Sequence, residues 1–398
     1  MKRRHPGSSR ARAIALGCLI ALGAGATAPI LLLRSGEGLQ PAAAASPHPV
    51  AGGFEPDRTR LEDCGPDQAC LEQAFGNLAF RRGPSAALRT FDAKMGSDAA
   101  VESGCHRIAH LIGSAALARY RGDVGRAFSE GSASCWSGYY HGILERAFAG
   151  ASGESQVIAT ARRLCAGRDV RRTEWLAYQC VHGLGHGLML RSAYALPFSL
   201  RVCDRLPTAW DRSSCSGGVF MENINGAEKT AYGFKSRWLR DGDLVYPCNA
   251  VQERHKLYCY LMVTSRILQA HGYDWRAAAR ICAGVERGWV ATCFQSLGRD
   301  ASGFSRQDPS RILTLCAHAG ARASDCLYGA ARDVTSNDAN GDRAARLCER
   351  APVESRLDCF SGIGTILGSL VGTTEARRAA CARLTRVYLR TCVRGAGG

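Results

Sequence analysis

Five of the ten histidines fall between residues 106 and 186, in three short segments: GCHRIAHLIG with His106 and His110, CWSGYYHGILE with His141, and CVHGLGHGLM with His182 and His186. In a helix, residues four apart share a face, so each His-x-x-x-His pair presents two imidazoles to one point, the usual way for a helix to hold a metal ion. Glu145 follows His141 at the same spacing. Each segment begins at a cysteine. Counted from it, His141 and His186 occupy the sixth following position and His110 the fifth. In the later segments the sixth position is Met221, Ser265, Arg299, Arg332 and Thr365, so histidine is not a packing requirement of the unit. Glu222, next to Met221 in CSGGVFMENING, supplies a further carboxylate. The predicted metal ligands are therefore His106, His110, His141, His182, His186, Glu145 and Glu222. Gly142, Gly183, Gly185 and Gly187 interrupt the same segments, at about 1 kcal/mol each within a helix, a cost expected where helices or a ligand approach the backbone closely. Were HGLGHG a loop, His182 and His186 would lose their common face.

Five imidazoles and two carboxylates suit Zn, Cu, Fe, Mn or Ni without distinguishing among them, and they exceed one tetrahedral site. Glu145, Glu222 and Tyr140 are candidate proton-transfer groups, with Tyr139 as an orienting neighbour. No reaction or substrate is named by these residues. The chain has no HExxH, G-x-S-x-G, GxxxxGK, GxGxxG, CxxC or CxxCH, which removes zincin peptidases, nucleophile-elbow hydrolases, nucleotide cofactors, CxxC redox chemistry and attached haem as motif-based assignments. Two functions of different class remain. One is a metal-binding protein with hydrolase or oxidase activity at the cluster. The other is a non-catalytic binding module whose histidines are satisfied by backbone carbonyls, as buried imidazoles commonly are; the isolated His255, His271 and His318 fit that description.

The elements that must position the cluster are written in the cysteines. Of 19, all but Cys18 follow the apolar segment described below, and an even set of 18 in an oxidising compartment allows nine disulfides. The later ones form close pairs, Cys203–Cys215, Cys248–Cys259, Cys282–Cys293, Cys316–Cys326, Cys348–Cys359 and Cys381–Cys392, and from Cys259 the second member recurs every 33 or 34 residues. Between pairs, apolar residues recur at helical spacing on either side of a short polar turn, as in WRAAARICAGVERGWVATCFQSLGRDA. Such a unit is an αα-hairpin closed at its mouth by a disulfide. Cys165–Cys180 is a stretched pair, Cys64–Cys70 a contracted one, and Cys105–Cys135 joins neighbouring helices. The fold class is all-α, a disulfide-stapled αα-hairpin repeat array, or α-solenoid. In period and cysteine placement, over residues 160–398, it resembles TPR-type and Sel1-like helical repeat proteins; the resemblance implies the shape alone, and solenoids of that shape offer concave binding surfaces.

Residues 1–12 read as a basic cytoplasmic tail and 13–33 as an uncharged stretch long enough to span a bilayer, either a signal anchor or a signal peptide. Residues 34–57 read as a flexible tether, 58–230 as irregular repeats with the His/Glu cluster, and 231–398 as regular Cys-paired repeats. Residues 226–247 interrupt the period and are expected to form a rim beside the cluster or an ordinary insertion. The formal charge is +16, but six basic residues precede position 35, leaving 45 basic against 35 acidic in the exported part. The arginines are scattered, which excludes nucleic acid and leaves the membrane, through the N-terminal segment, and an envelope protein or polymer as expected partners.

Overall fold

A computed structural model describes residues 54–397 except 96, 132–133, 149–150, 152 and 227–235. The predicted membrane segment and nearly all of the tether lie outside the described residues. Among those described, no helix is long and apolar enough to cross a membrane.

The described residues form helices and turns with no strand; a single isolated bridge joins Arg240 and Asp243. One unit shows how. Asp274 caps the helix Trp275–Ala283 by accepting from the backbone N–H groups of Arg276 and Ala277. The chain turns through the 3-10 segment Arg287–Trp289 and continues as Val290–Phe304. Cys282, near the end of the first helix, bonds Cys293 in the first turn of the second. The nine disulfides join the pairs given above, each with Cα atoms 5.2–5.9 Å apart. They belong to an oxidising setting, extracytoplasmic or secreted. Replacing Cys282 and Cys293 together by alanine is expected to cost about 3 kcal/mol through the entropy of the unfolded chain. Denaturant unfolding measures it, and a cost near zero would mean that packing alone holds the hairpin.

The second helices of the hairpins line the inside of the array: α1 (Gln68–Arg82), α2 (Cys105–Arg119), α3 (Ser134–Ala147), α4 (Glu174–Arg191), α5 (Ala209–Met221), α6 (Thr264–Ala270), α7 (Val290–Phe304), α8 (Ala323–Asp338), α9 (Arg356–Leu370) and α10 (Leu389–Gly395). Consecutive members pack on one another, except that α6 meets the segment Glu222–Gly226 after α5, and α9 comes back into contact with α4. An ion pair from Arg306, after α7, to Glu102, before α2, spans the same turn at 2.7 Å. Helices α1 to α8 thus wind around one cavity.

Glycines set how closely they wind. A Cβ on Gly142 of α3 would collide with the backbone of His110 on α2, and one on Gly113 with the carbonyl of Tyr139. Gly185 and Gly218 interlock α4 with α5 in the same reciprocal way, and Gly298 with Gly329 do so for α7 and α8. The glycines beside His141 and His186 are therefore helical, and they bring backbone against backbone.

Candidate metal centre

Residues of α1 through α8 line a cavity of about 670 Å³. All seven predicted ligands border it. HGLGHG lies within α4, so His182 and His186 keep their common face. Glu222 opens a π-helical turn, Glu222–Gly226, that continues α5, a distortion frequent at functional sites because it re-aims a side chain.

The five rings meet around His141. His106 and His110 stand nearly perpendicular to it, with centroids 5.4 and 5.5 Å away at 70° and 85°. His182 lies 6.0 Å away, and His186 is stacked on His141 at 4.0 Å and 17°. Two overlapping groups have ligand atoms all within 4.8 Å of one another, His106/His110/His141 and His141/His182/His186, and either could hold a metal ion.

Polar partners flank the outer four rings. His106 Nδ1 donates to the carbonyl of Cys135 at 2.8 Å, an acceptor that fixes the proton on that nitrogen. Glu145 Oε1 lies 2.5 Å from His110 Nδ1, off the line of a hydrogen bond but close enough to favour a proton there. His186 Nδ1 donates to Glu222 Oε2 at 2.8 Å, and Glu222 Oε1 accepts from the Tyr194 hydroxyl. His182 donates to the backbone carbonyl of Ser214 and has the Tyr178 hydroxyl 3.5 Å from Nδ1. Carboxylate or carbonyl acceptors behind an imidazole are the usual outer shell of a histidine metal ligand.

What these partners leave is two pairs of Nε2 atoms turned toward each other, His106 to His110 at 3.0 Å and His182 to His186 at 3.4 Å. Two neutral rings that both carry the proton on Nδ1 would oppose lone pairs across that gap, a contact that a proton or a metal cation relieves. Nitrogens at about 2.0–2.1 Å from a shared ion sit about 3.0–3.4 Å apart at octahedral to tetrahedral angles, the same separation. His141 differs from the other four. It is buried, and neither Nδ1 nor Nε2 has a hydrogen-bond partner.

Burial, with the neighbouring imidazoles adding to it, pushes His141 well below the usual histidine range, and burial and His186 bring His182 down to about 3. Burial opposes ionisation of Glu222, yet hydrogen bonds from His186 and Tyr194 and the electrostatics of the nearby imidazoles hold it down at about 2. The metal-free fold should therefore lose stability on acidification. Below the ordinary histidine value of 6.5 the unfolded chain takes up protons that His141 and His182 in the fold refuse, and below 4.5 the unfolded chain protonates Glu222 while the fold keeps it charged down to about 2. Each such group removes about 1.4 kcal/mol per pH unit across its window. Denaturation midpoints from pH 7 to 5 should fall; a flat profile would contradict the buried neutral imidazoles.

Not every expected residue reaches the cavity. Tyr139 donates to the carbonyl of Ala127, and Tyr140 packs against Phe128 and Trp175, so both face away from the imidazoles. His255 pairs with Asp204 at 3.4 Å, outside the cluster. Two tyrosines not anticipated from sequence take the place of Tyr140. Tyr178 sits four residues before His182 on the same stripe of α4, a spacing that is readable. Tyr194 follows α4 with a left-handed backbone, φ 60°, which no spacing announces, and its carbonyl accepts from Trp238 Nε1 at 2.6 Å. Within the period-breaking insertion, then, Trp238 buttresses the outer shell instead of lining the cavity. Comparison with family models, with curated proteins and with solved structures finds no match to this chain.

Proposed function

We propose that the histidine cluster binds a transition-metal ion and that the cavity beside it makes the centre a reactive one, in an exported or membrane-anchored protein. The observation that carries this reading is His141, a fully buried imidazole with two unpartnered nitrogens, placed between two pairs of inward-facing Nε2 atoms. Leaving such groups unsatisfied costs about 1–3 kcal/mol each, and an ion removes that cost. Charge supports it as well. Glu72, Glu145, Glu222, Asp300 and Asp333 line the cavity against only Arg107 and Arg299, an acidic interior within a basic exported chain.

A divalent ion held by neutral imidazoles supplies a Lewis acid and lowers the pKa of a bound water. The chain's own contribution is orientation: Cys135, Glu145, Glu222 and Ser214 favour protons on the outer nitrogens, so that the inner ones face the cluster. The remaining volume far exceeds what one ion and its waters need, about 30 Å³ per water, and it falls within the range of small-molecule sites. A redox-silent metal in this setting favours hydrolysis; a coloured or redox-active one favours oxidation. Elemental analysis of the full chain, beside His106→Ala/His110→Ala, tests the proposal. The wild type should retain metal through dialysis and the variant should retain less. A metal-free wild type that resists reconstitution would leave the non-catalytic binding module in its place.

A further inference from the structure

Resting on that metal-binding reading, we infer that the centre takes two metal ions and that His141 is the ligand they share. The five rings divide as two, one and two. His106 and His110 form one pair on α2, His182 and His186 another on α4, and His141 on α3 lies between them, belonging to both groups of ligand atoms. The outer four each have an acceptor or a close carboxylate on the side away from the cluster, which leaves each a single nitrogen for coordination. His141 alone has no such partner on either nitrogen. A terminal ligand needs one bare nitrogen; a bridging ligand needs two.

Geometry also sets the order of filling. The rings of His106 and His110 stand edge-on to His141, so no stacked pair has to open before these three share an ion. In the second group His186 is stacked on His141 at 4.0 Å, and parallel planes cannot share an in-plane ion until one ring turns. The first ion therefore belongs to the α2 side, and the second binds more weakly because it must break the stack. With both nitrogens coordinated, His141 releases its remaining ring proton to solvent.

The test is titration of the full-length, fully oxidised protein with Cu(II), read by metal content after dialysis and by electron paramagnetic resonance. The expected result is two ions per chain taken up in two steps. The spectrum of an isolated ion should grow through the first equivalent and be lost or broadened by spin coupling as the second binds. In His182→Ala/His186→Ala, uptake should stop at one uncoupled ion, with circular dichroism confirming that the helices remain. Saturation at one ion per chain in the wild type overturns the bridge while leaving the metal-binding reading in place. Two ions with full, uncoupled signal intensity also overturn it. No retained copper overturns both.

Discussion

Alanine at Gly142 will destabilise the protein by more than about 2 kcal/mol, whereas alanine at Gly303 will stabilise it by up to about 1 kcal/mol. Both glycines are helical, so propensity favours alanine at each. They differ in what the added methyl meets. At Gly303 there is nothing within reach, but at Gly142 it would overlap the carbonyl, C and Cα of His110. A side chain could turn aside; a neighbouring helix backbone can only be pushed away. Overpacking of that kind costs about 1–3 kcal/mol even where side chains give. Separating α2 from α3 also draws His110 off His141, so metal retention should fall together with stability. Denaturant unfolding of the metal-free forms measures the first effect and dialysis of loaded forms the second. A Gly142→Ala protein as stable as wild type would mean that the helices are not in backbone contact.

Glu222→Gln is expected to weaken metal retention by about 10–100-fold with little change in shape. The carboxylate accepts from two donors at once, His186 Nδ1 on one oxygen and the Tyr194 hydroxyl on the other. An amide has one accepting oxygen and a donating nitrogen, so one of the two contacts must become donor against donor. If His186 yields, its proton moves to Nε2, the atom turned toward His182, and that nitrogen can no longer coordinate. Tyr194→Phe removes one donor and leaves the carboxylate, so its effect should be the smaller. Competition with a chromophoric chelator separates the two variants. Equal affinities for wild type and Glu222→Gln would show that His186 is not a ligand.

Much of this fold was legible because cysteines mark it. The step of 33 or 34 residues and the close pairing identify hairpins closed by disulfides, and the later units follow that rule directly. The gathering of these side chains at one cavity was legible for a related reason: within one helix, spacing fixes direction, and His106/His110, His141/Glu145 and His182/His186 each share a face. What spacing does not carry is the relation between helices. The winding that gathers α2, α3 and α4 around His141 follows from glycines meeting backbones across the interface, Gly113 with α3 and Gly185 with α5, and a single glycine in sequence does not say which carbonyl it will touch. Tyr140 was misdirected by proximity in sequence; one residue from His141 is a rotation of about 100° around the helix, toward Phe128. Tyr194 owes its place to a left-handed turn and to the Trp238 indole, from a segment some 44 residues on.

X-ray absorption at the metal edge of the full-length protein, loaded with Zn(II) and dialysed, tests the centre most directly. The expected spectrum has a first shell dominated by nitrogen at about 2.0–2.1 Å with the outer-shell scattering of imidazole rings. Loss of the metal on dialysis, or a first shell of oxygen or sulfur without imidazole, would contradict a metal centre built on His141 and its neighbours.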